Sequence, residues 1–388
     1  MSKASHAVAV RLRDRFFRTK WLVLLVAVVV LIFFGRTSDI KSLTQSALVI
    51  GLGIERTEST FTVSTLSVIV SGGSGGDNQQ NYAVYSAEGA TISEGLDRIS
   101  QKMGLMVSLS HCNVVVLSPS VFDTDHALLF DPLISAYSLP EQAAVTSTEQ
   151  PPSDILAARV GTTVASTYFV QASLLQNLGG DGIALVTVKD FLANSLSRSA
   201  SVNIPLIDMK EMEHQPESQQ GESQGNYELF MNRNLVVHGG DYFVLEEDLA
   251  QVTTMLVRKN DVLGRLSVTL PGGEAVEFRV LDVSPKTEAD GMNVTASLEV
   301  SVSFLEAQNT SGGKVTPSDD LVKRAAEQAA NDLRKRLYEC HALSLEKDAD
   351  FLQLQNAVYK KAGYTLPENC LDDIGFSCSV SVTVKEAG

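Results

Sequence analysis

Fourteen consecutive apolar residues, Trp21–Phe34 (WLVLLVAVVVLIFF), constrain this chain more than any other segment. As a helix they rise about 21 Å, against a hydrocarbon core of about 30 Å. Counting out to Arg18 and Arg36 brings the stretch near the lower limit for a span. Lys20 and Arg36 can snorkel, and Trp21 suits the interface. A cleaved signal peptide and an uncleaved signal anchor both fit such a run. Gly35-Arg36-Thr37-Ser38-Asp39 follows Phe34 with no small-x-small site, which favours an anchor carried by Trp21, Leu25, Val29 and Phe34. Charge sets the expected orientation. Residues 1–41 hold eight Lys/Arg and two acids, a balance of +6, while the rest carries −21 of the total −15. The positive-inside rule then leaves a basic cytoplasmic tail over 1–20, an anchor over 21–35 and an extracytoplasmic body. A net charge of −15 also argues against a nonspecific nucleic-acid binder.

At 388 residues, 44% hydrophobic and 20% charged, the body is long enough for two or three packed domains. Ala47–Ile54, Thr60–Val70 and Tyr82–Ser86 read as strands, with the Gly/Ser-rich Ser71–Gln80 between the last two. Ile92, Leu96, Ile99 and Met103 are spaced as one helix face over Thr91–Gly104. Cys112–Leu117 and Ala143–Thr148 read as apolar strands. Helices are expected over 125–137, Ser153–Val160, Tyr168–Leu178 and Thr187–Leu196. Glu211–Asn226 has no apolar run and reads as a linker. Strands Tyr227–Met231, Leu235–Val237 and Tyr242–Leu245 then precede a helix over Glu246–Val257. Further strands are expected over Arg265–Leu270, Ala275–Val283 and Asn293–Leu305, the last with strict alternation. Thr316, with Pro317 and Asp319, reads as the cap of a helix to about Cys340. A second helix over about Leu345–Lys361 and a strand over Ser377–Val384 complete the pattern. The fold class is mixed α+β: a membrane helix followed by about three sheet-and-helix domains. Their expected limits are 36–208, a linker over 209–226, 227–262 and 263–388.

The usual catalytic patterns are missing. Gly72-Gly73-Ser74-Gly75-Gly76 matches G-x-S-x-G only in letters, because it lies in a polar stretch rather than on a strand-to-helix turn. Gly51-Leu52-Gly53 lacks the third glycine of a dinucleotide loop, since position 56 is Arg56. There is no phosphate loop, and the six histidines lack ligand spacing. No catalytic residue, cofactor or metal ligand is assigned, and the chain reads as a non-enzyme. Four cysteines allow three disulfide connectivities, or four free thiols. Cys370 and Cys378 flank a short loop and form the candidate pair, whereas Cys112 reads as a small core residue.

Several segments, in order, resemble one family. Ala47–Glu55 (ALVIGLGIE) is similar to an early strand ending Gly-Ile-Asp. Glu88–Leu96 (EGATISEGL) resembles a helix entry, and His111–Leu117 (HCNVVVL) an apolar strand. Val237–Leu245 (VHGGDYFVL) is similar to a hairpin, and Asp350-Phe351-Leu352-Gln353-Leu354 loosely fits a C-terminal motif. In this order they resemble the Ger(x)C family, the C subunits of bacterial spore nutrient-germinant receptors. The resemblance implies three mixed α/β domains outside the spore inner membrane. It also implies a membrane complex with A-type and B-type subunits, and a role in nutrient-triggered germination. It carries over no ligand-binding residue, and the small-molecule ligand stays unknown. Family members carry a lipid-modified Cys after the signal sequence. Here the first cysteine is Cys112, so the signal anchor takes the lipid's place. The residues taken alone also fit a membrane-tethered scaffold or solute sensor outside germination.

Overall fold

Among the described residues, the two larger sheets share one of two hydrophobic cores. The computed structural model describes residues 46–69, 81–123, 129–160, 164–165, 183, 185–211, 227–257, 264–309, 312–362 and 369–385, with Leu24, Val26 and Val28 near the N-terminus. Ala47–Gly388 forms one compact unit, separate from Met1–Ser46. The large sheet contains β1 (Ser46–Thr57), β2 (Thr60–Ile69), β3 (Asn81–Gly89), β4 (Met106–Ser108), β5 (Val114–Leu117) and β6 (Ala144–Ser147). A small separate pair consists of β7 (Arg159–Val160) and β8 (Val164–Ala165). The large sheet continues in β9 (Ser201–Glu211), β10 (Tyr227–His238) and β11 (Asp241–Leu245). Its order is β11-β10-β9-β6-β5-β1-β2-β3, with β4 paired to β1. The segment expected as a separate middle module therefore adds its strands to this same sheet. Tyr227–His238 is one strand, not two, with a register shift between Phe230 and Arg233 that bends it.

The centre of this sheet is parallel, β1 with β5 and β5 with β6, and every residue of β5 and β6 is buried. Strands covered on both faces read as unbroken apolar runs, which is the pattern of VVVL here. Val115 and Leu117 point into one core, and Val114 and Val116 into the other. The first core is closed by α1 (Ile92–Met103), α2 (Asp131–Tyr137) and α4 (Val188–Ser195). Phe122, Phe130 and Phe191 fill its middle, with ring centroids 5.2–6.2 Å apart. The helix α1 lies close on β2 because of Gly95. A Cβ there would come within 2.7 Å of Val63 Cγ2. The short α3 (Pro152–Ala157) sits on the opposite face, with Ile155 and Leu156 in the second core. Of the helix expected over 125–137, Asp131–Tyr137 is helical and 125–128 lie outside the described residues, as does the helix expected over 168–178.

The second core continues without interruption into the C-terminal sheet. That sheet runs in the order β12 (Gly264–Thr269), β13 (Ala275–Asp290), β14 (Asn293–Gln308), β15 (Gly375–Val384). β13 and β14 are sixteen residues each, longer than the alternation alone suggested, and are joined at Gly291-Met292. Gly291 has φ +59°, the value a two-residue hairpin needs at its first central position. Only one face of this sheet is buried. It is covered by α5 (Glu247–Val257), α6 (Asp319–Glu346) and α7 (Leu354–Ala362). The helix α5 lies between the two sheets, and Ala250–Leu256 are all buried. Its polar members are satisfied there: Gln251 donates to the Arg265 carbonyl and Thr254 bonds Asn234.

Two helix limits differ from expectation. The cap of α6 is Ser318, not Thr316: its hydroxyl accepts from the Leu321 N–H at 3.2 Å, and the helix runs six residues past Cys340. The next helix starts at Leu354 rather than Leu345. Asp348 (φ +47°) and Gln353 (φ +62°) are left-handed, which no α-helix tolerates, so residues 347–353 form a turn. That turn carries the site described next.

Candidate functional site

The most concentrated buried polar chemistry lies where this turn meets the start of β9. Asp350 is fully buried. Its Oδ1 accepts from the Leu354 N–H at 2.8 Å and its Oδ2 from the Gln355 N–H at 2.7 Å, so it caps α7 from four residues away. The same Oδ2 accepts a short hydrogen bond from the Ser199 hydroxyl, 151 residues away in sequence. Asn356 continues the seam. Its N–H donates to Ser199 Oγ, its Oδ1 accepts from the Ser199 N–H, and its Nδ2 donates to Ser197 Oγ. Gln353 donates to the Ser201 carbonyl at 3.0 Å, and Asn203 donates to the Phe351 carbonyl at 3.3 Å. Two distant segments are thereby tied by side chains, of which Asp350, Ser199, Asn356 and Gln353 each hold more than one partner. Burial raises the Asp350 carboxyl above its ordinary value, opposed by its bonds to Ser199, Gln355 and Leu354 and by the nearby His238.

Ser201, His238 and Asp350 share this neighbourhood, and their hydrogen-bond directions decide what they can do. Ser201 Oγ donates its proton to the Ser199 carbonyl at 3.0 Å. The His238 Nδ1 at 2.8 Å must then be the donor to Ser201 Oγ. An imidazole donating to a serine cannot also take that serine's proton, and Asp350 binds Ser199. The arrangement is a structural network and lacks the polarity of a nucleophile–base–orienter triad. The sequence pair His111-Cys112 is equally unsuited. Cys112 is buried on the large sheet, its thiol pushed up to about 12 by burial.

A cleft of about 980 Å³ opens beside the seam. Gln353 and Asn356 reach it from the seam, Glu288 and Asp290 from the β13 end, and Lys360 and Lys361 from the last turn of α7. A water-sized chamber of about 20 Å³ lies next to it, lined by Ser201, Asn203, Asn234, Thr254 and Gln353 among others. Gln353, Asn194 and Val257 border both spaces. Asn203 Oδ1 is buried there without a hydrogen-bond partner. The pairing of neutral amides inside with both signs of charge at the mouth suits a small polar molecule. Among the described residues, no group of three or more His, Cys, Asp or Glu could hold a metal ion.

The residues singled out from sequence lie elsewhere. Trp21, Leu25, Val29 and Phe34 lie outside the described residues. Among the described residues no helix is long and apolar enough to cross a membrane. Cys370 and Cys378 are free thiols, so the candidate disulfide is absent from this structure. Cys370 starts the turn before β15 and bonds Gln355, whereas Cys378 lies within β15 and reaches the Arg334 carbonyl of α6. Sequence reasoning did not assign Ser199, Asn356 or the role of Asp350. The one signal was Asp350 at the head of the loosely fitting C-terminal motif.

The fold is α+β, with two larger sheets sharing a core and a polar cleft beside the seam, and among the described residues the Ser201, His238 and Asp350 network lacks the polarity of a catalytic triad. Residues 39–209 match the family of the spore germination protein N-terminal domain. Over that domain the chain is related to the Ger(x)C spore germination proteins. A solved structure, the crystal structure of the GerBC protein, is 11% identical with a TM-score of 0.45, covering 86% of this chain and 96% of that one. No curated protein matches the sequence.

Proposed function

We propose that this chain is a non-enzymatic, extracytoplasmic subunit of a membrane-bound germinant-receptor complex, acting with A-type and B-type membrane subunits in nutrient-triggered germination. The match of residues 39–209 to the germination-protein family carries this reading. It begins just past the apolar run Trp21–Phe34 and its basic flank, which we read as a single-pass anchor with the N-terminus inside. The seam around Asp350 supports a positional role: it holds the cleft walls in register for a small polar ligand. Deleting the gene in the spore former that encodes it, and following nutrient-triggered loss of refractility, tests the proposal. The expected result is loss of the response to at least one nutrient, restored by the intact gene. Unchanged germination with every nutrient sinks it.

A further inference from the structure

The strand β15 closes one side of the C-terminal sheet, and no strand among the described residues pairs with its outer side. The end strands β3, β11 and β12 of the two larger sheets each carry a charge within the strand: Glu88, Asp241 and Arg265. β15 runs for ten residues (GFSCSVSVTV) with neither charge nor proline. Charges, prolines and bulges are how proteins keep exposed edges from pairing, and this edge has none of the first two.

Its backbone phase is set by β14. The Gly375 N–H donates to the Met292 carbonyl at 3.0 Å and the Lys385 N–H to the Val302 carbonyl at 2.8 Å. Odd-numbered residues therefore turn their peptide groups toward β14, and Phe376, Cys378, Val380 and Val382 turn theirs to the open edge. The side chains of those four lean half-buried toward α6, while Ser377, Ser379, Ser381 and Thr383 stand exposed on the opposite face. Tyr338 of α6, 45% exposed, stacks edge-on over Phe376 at 5.8 Å, so an aromatic pair also stands at this border.

The ends of the strand carry opposite charges. Asp372 and Asp373 precede it and Lys385 follows it, all exposed. An antiparallel partner with the same sequence, related by a two-fold axis through Ser379, satisfies every one of these features. Phe376 then faces Val382, Cys378 faces Val380 and Ser377 faces Ser381, each pair on its own face of the sheet. The outward peptide groups of Phe376, Cys378, Val380 and Val382 exchange the ladder hydrogen bonds. Lys385 of each copy comes to the acidic turn Asp372-Asp373 that precedes the other strand, a charge pair made twice. A slip of one residue inverts the faces, and an axis through Val380 sets Lys385 against Gly375 instead.

We propose that β15 is a self-pairing edge through which two copies of this chain join, extending the four-stranded sheet to eight strands across a two-fold axis. The same edge on both partners is the usual logic of a two-fold interface. The test uses the full-length protein in detergent. Single cysteines at Ser379 and at Ser377, each in a Cys378→Ser background, are oxidised and scored for covalent dimer. Ser379→Cys meets itself at a non-hydrogen-bonded position, about 4.5 Å apart at Cα, and is expected to cross-link readily. Ser377→Cys meets Ser381 and is expected to lag far behind. In sedimentation velocity, Lys385→Asp is expected to weaken the dimer roughly tenfold, and the swap Asp373→Lys with Lys385→Asp to restore it. Restoration separates a lost interface from a lost fold. A monomeric wild-type protein overturns the proposal, as does equal cross-linking at the two positions, or a charge swap that fails to rescue.

Discussion

The middle of the large sheet and the C-terminal sheet bury their strands in different ways. β5 and β6 are parallel and buried at every position, and β5 is wholly apolar. β12 alternates buried and exposed residues without a break, and in β14 every second residue from Val294 to Val302 is buried. The first pattern gives each residue a core to fill, so a strand of four residues suffices. The second divides each strand between a core and water, so it needs length to bury comparable area. It also leaves a polar face of Ser and Thr, where Thr295 bonds Ser377 and Ser379 bonds Ser297. Both sheets end in edge strands, and β15 is one of them.

That contrast can be broken most severely at Val116. Replacing it with Asp places a carboxylate in the core shared by both sheets, at a cost of several kcal/mol, enough to leave little folded protein in a thermal melt followed by circular dichroism. Glu299→Lys on the open face of β14 is expected to change stability by less than about 0.5 kcal/mol. Equal losses at the two sites would remove the distinction between the sheets. The seam gives the next largest effect. Asp350→Ala strands the Ser199 hydroxyl and the N–H groups of Leu354 and Gln355, and is expected to cost about 3 kcal/mol in urea unfolding. A loss near zero would mean that the seam does not hold the two segments together.

The smallest effect is a pH dependence. Burial holds the Asp350 carboxyl above its ordinary 3.8, so the folded state keeps that proton more tightly than the unfolded chain does. Its contribution is therefore full below pH 3.8 and is lost as pH rises through the elevated value. The stability of the wild type relative to Asp350→Asn should accordingly fall as pH climbs out of the acid range. A difference that stays flat or rises over that interval contradicts the assignment.

Much of the local structure is visible in the residues. The alternation of Val294, Ala296, Leu298, Val300 and Val302 marks β14, and the spacing of Ile92, Leu96 and Ile99 marks α1, because one buried face imposes a period on the sequence. The limits of α6 and α7 depart from the sequence pattern because local residue types leave them open. Ser318 and Thr316 are both good caps, and only the backbone conformation shows which one meets a free N–H. The break after α6 depends on left-handed Asp348 and Gln353, neither of which is a glycine that would announce it. The candidate disulfide was inferred from closeness in sequence, yet Cys370 and Cys378 take different neighbours, Gln355 and α6.

From the sequence by itself came the charge division, the apolar N-terminal run, the mixed α+β class and the family resemblance. Those properties are additive along the chain, or periodic within ten to twenty residues. Tertiary structure alone joined 227–245 to the N-terminal sheet, because strand pairing is a contact between backbones and leaves no mark on side-chain identity. It also brought Ser199 to Asp350. A serine and an aspartate 151 residues apart carry no signal of each other until the chain folds, when the loss of water makes their hydrogen bond obligatory.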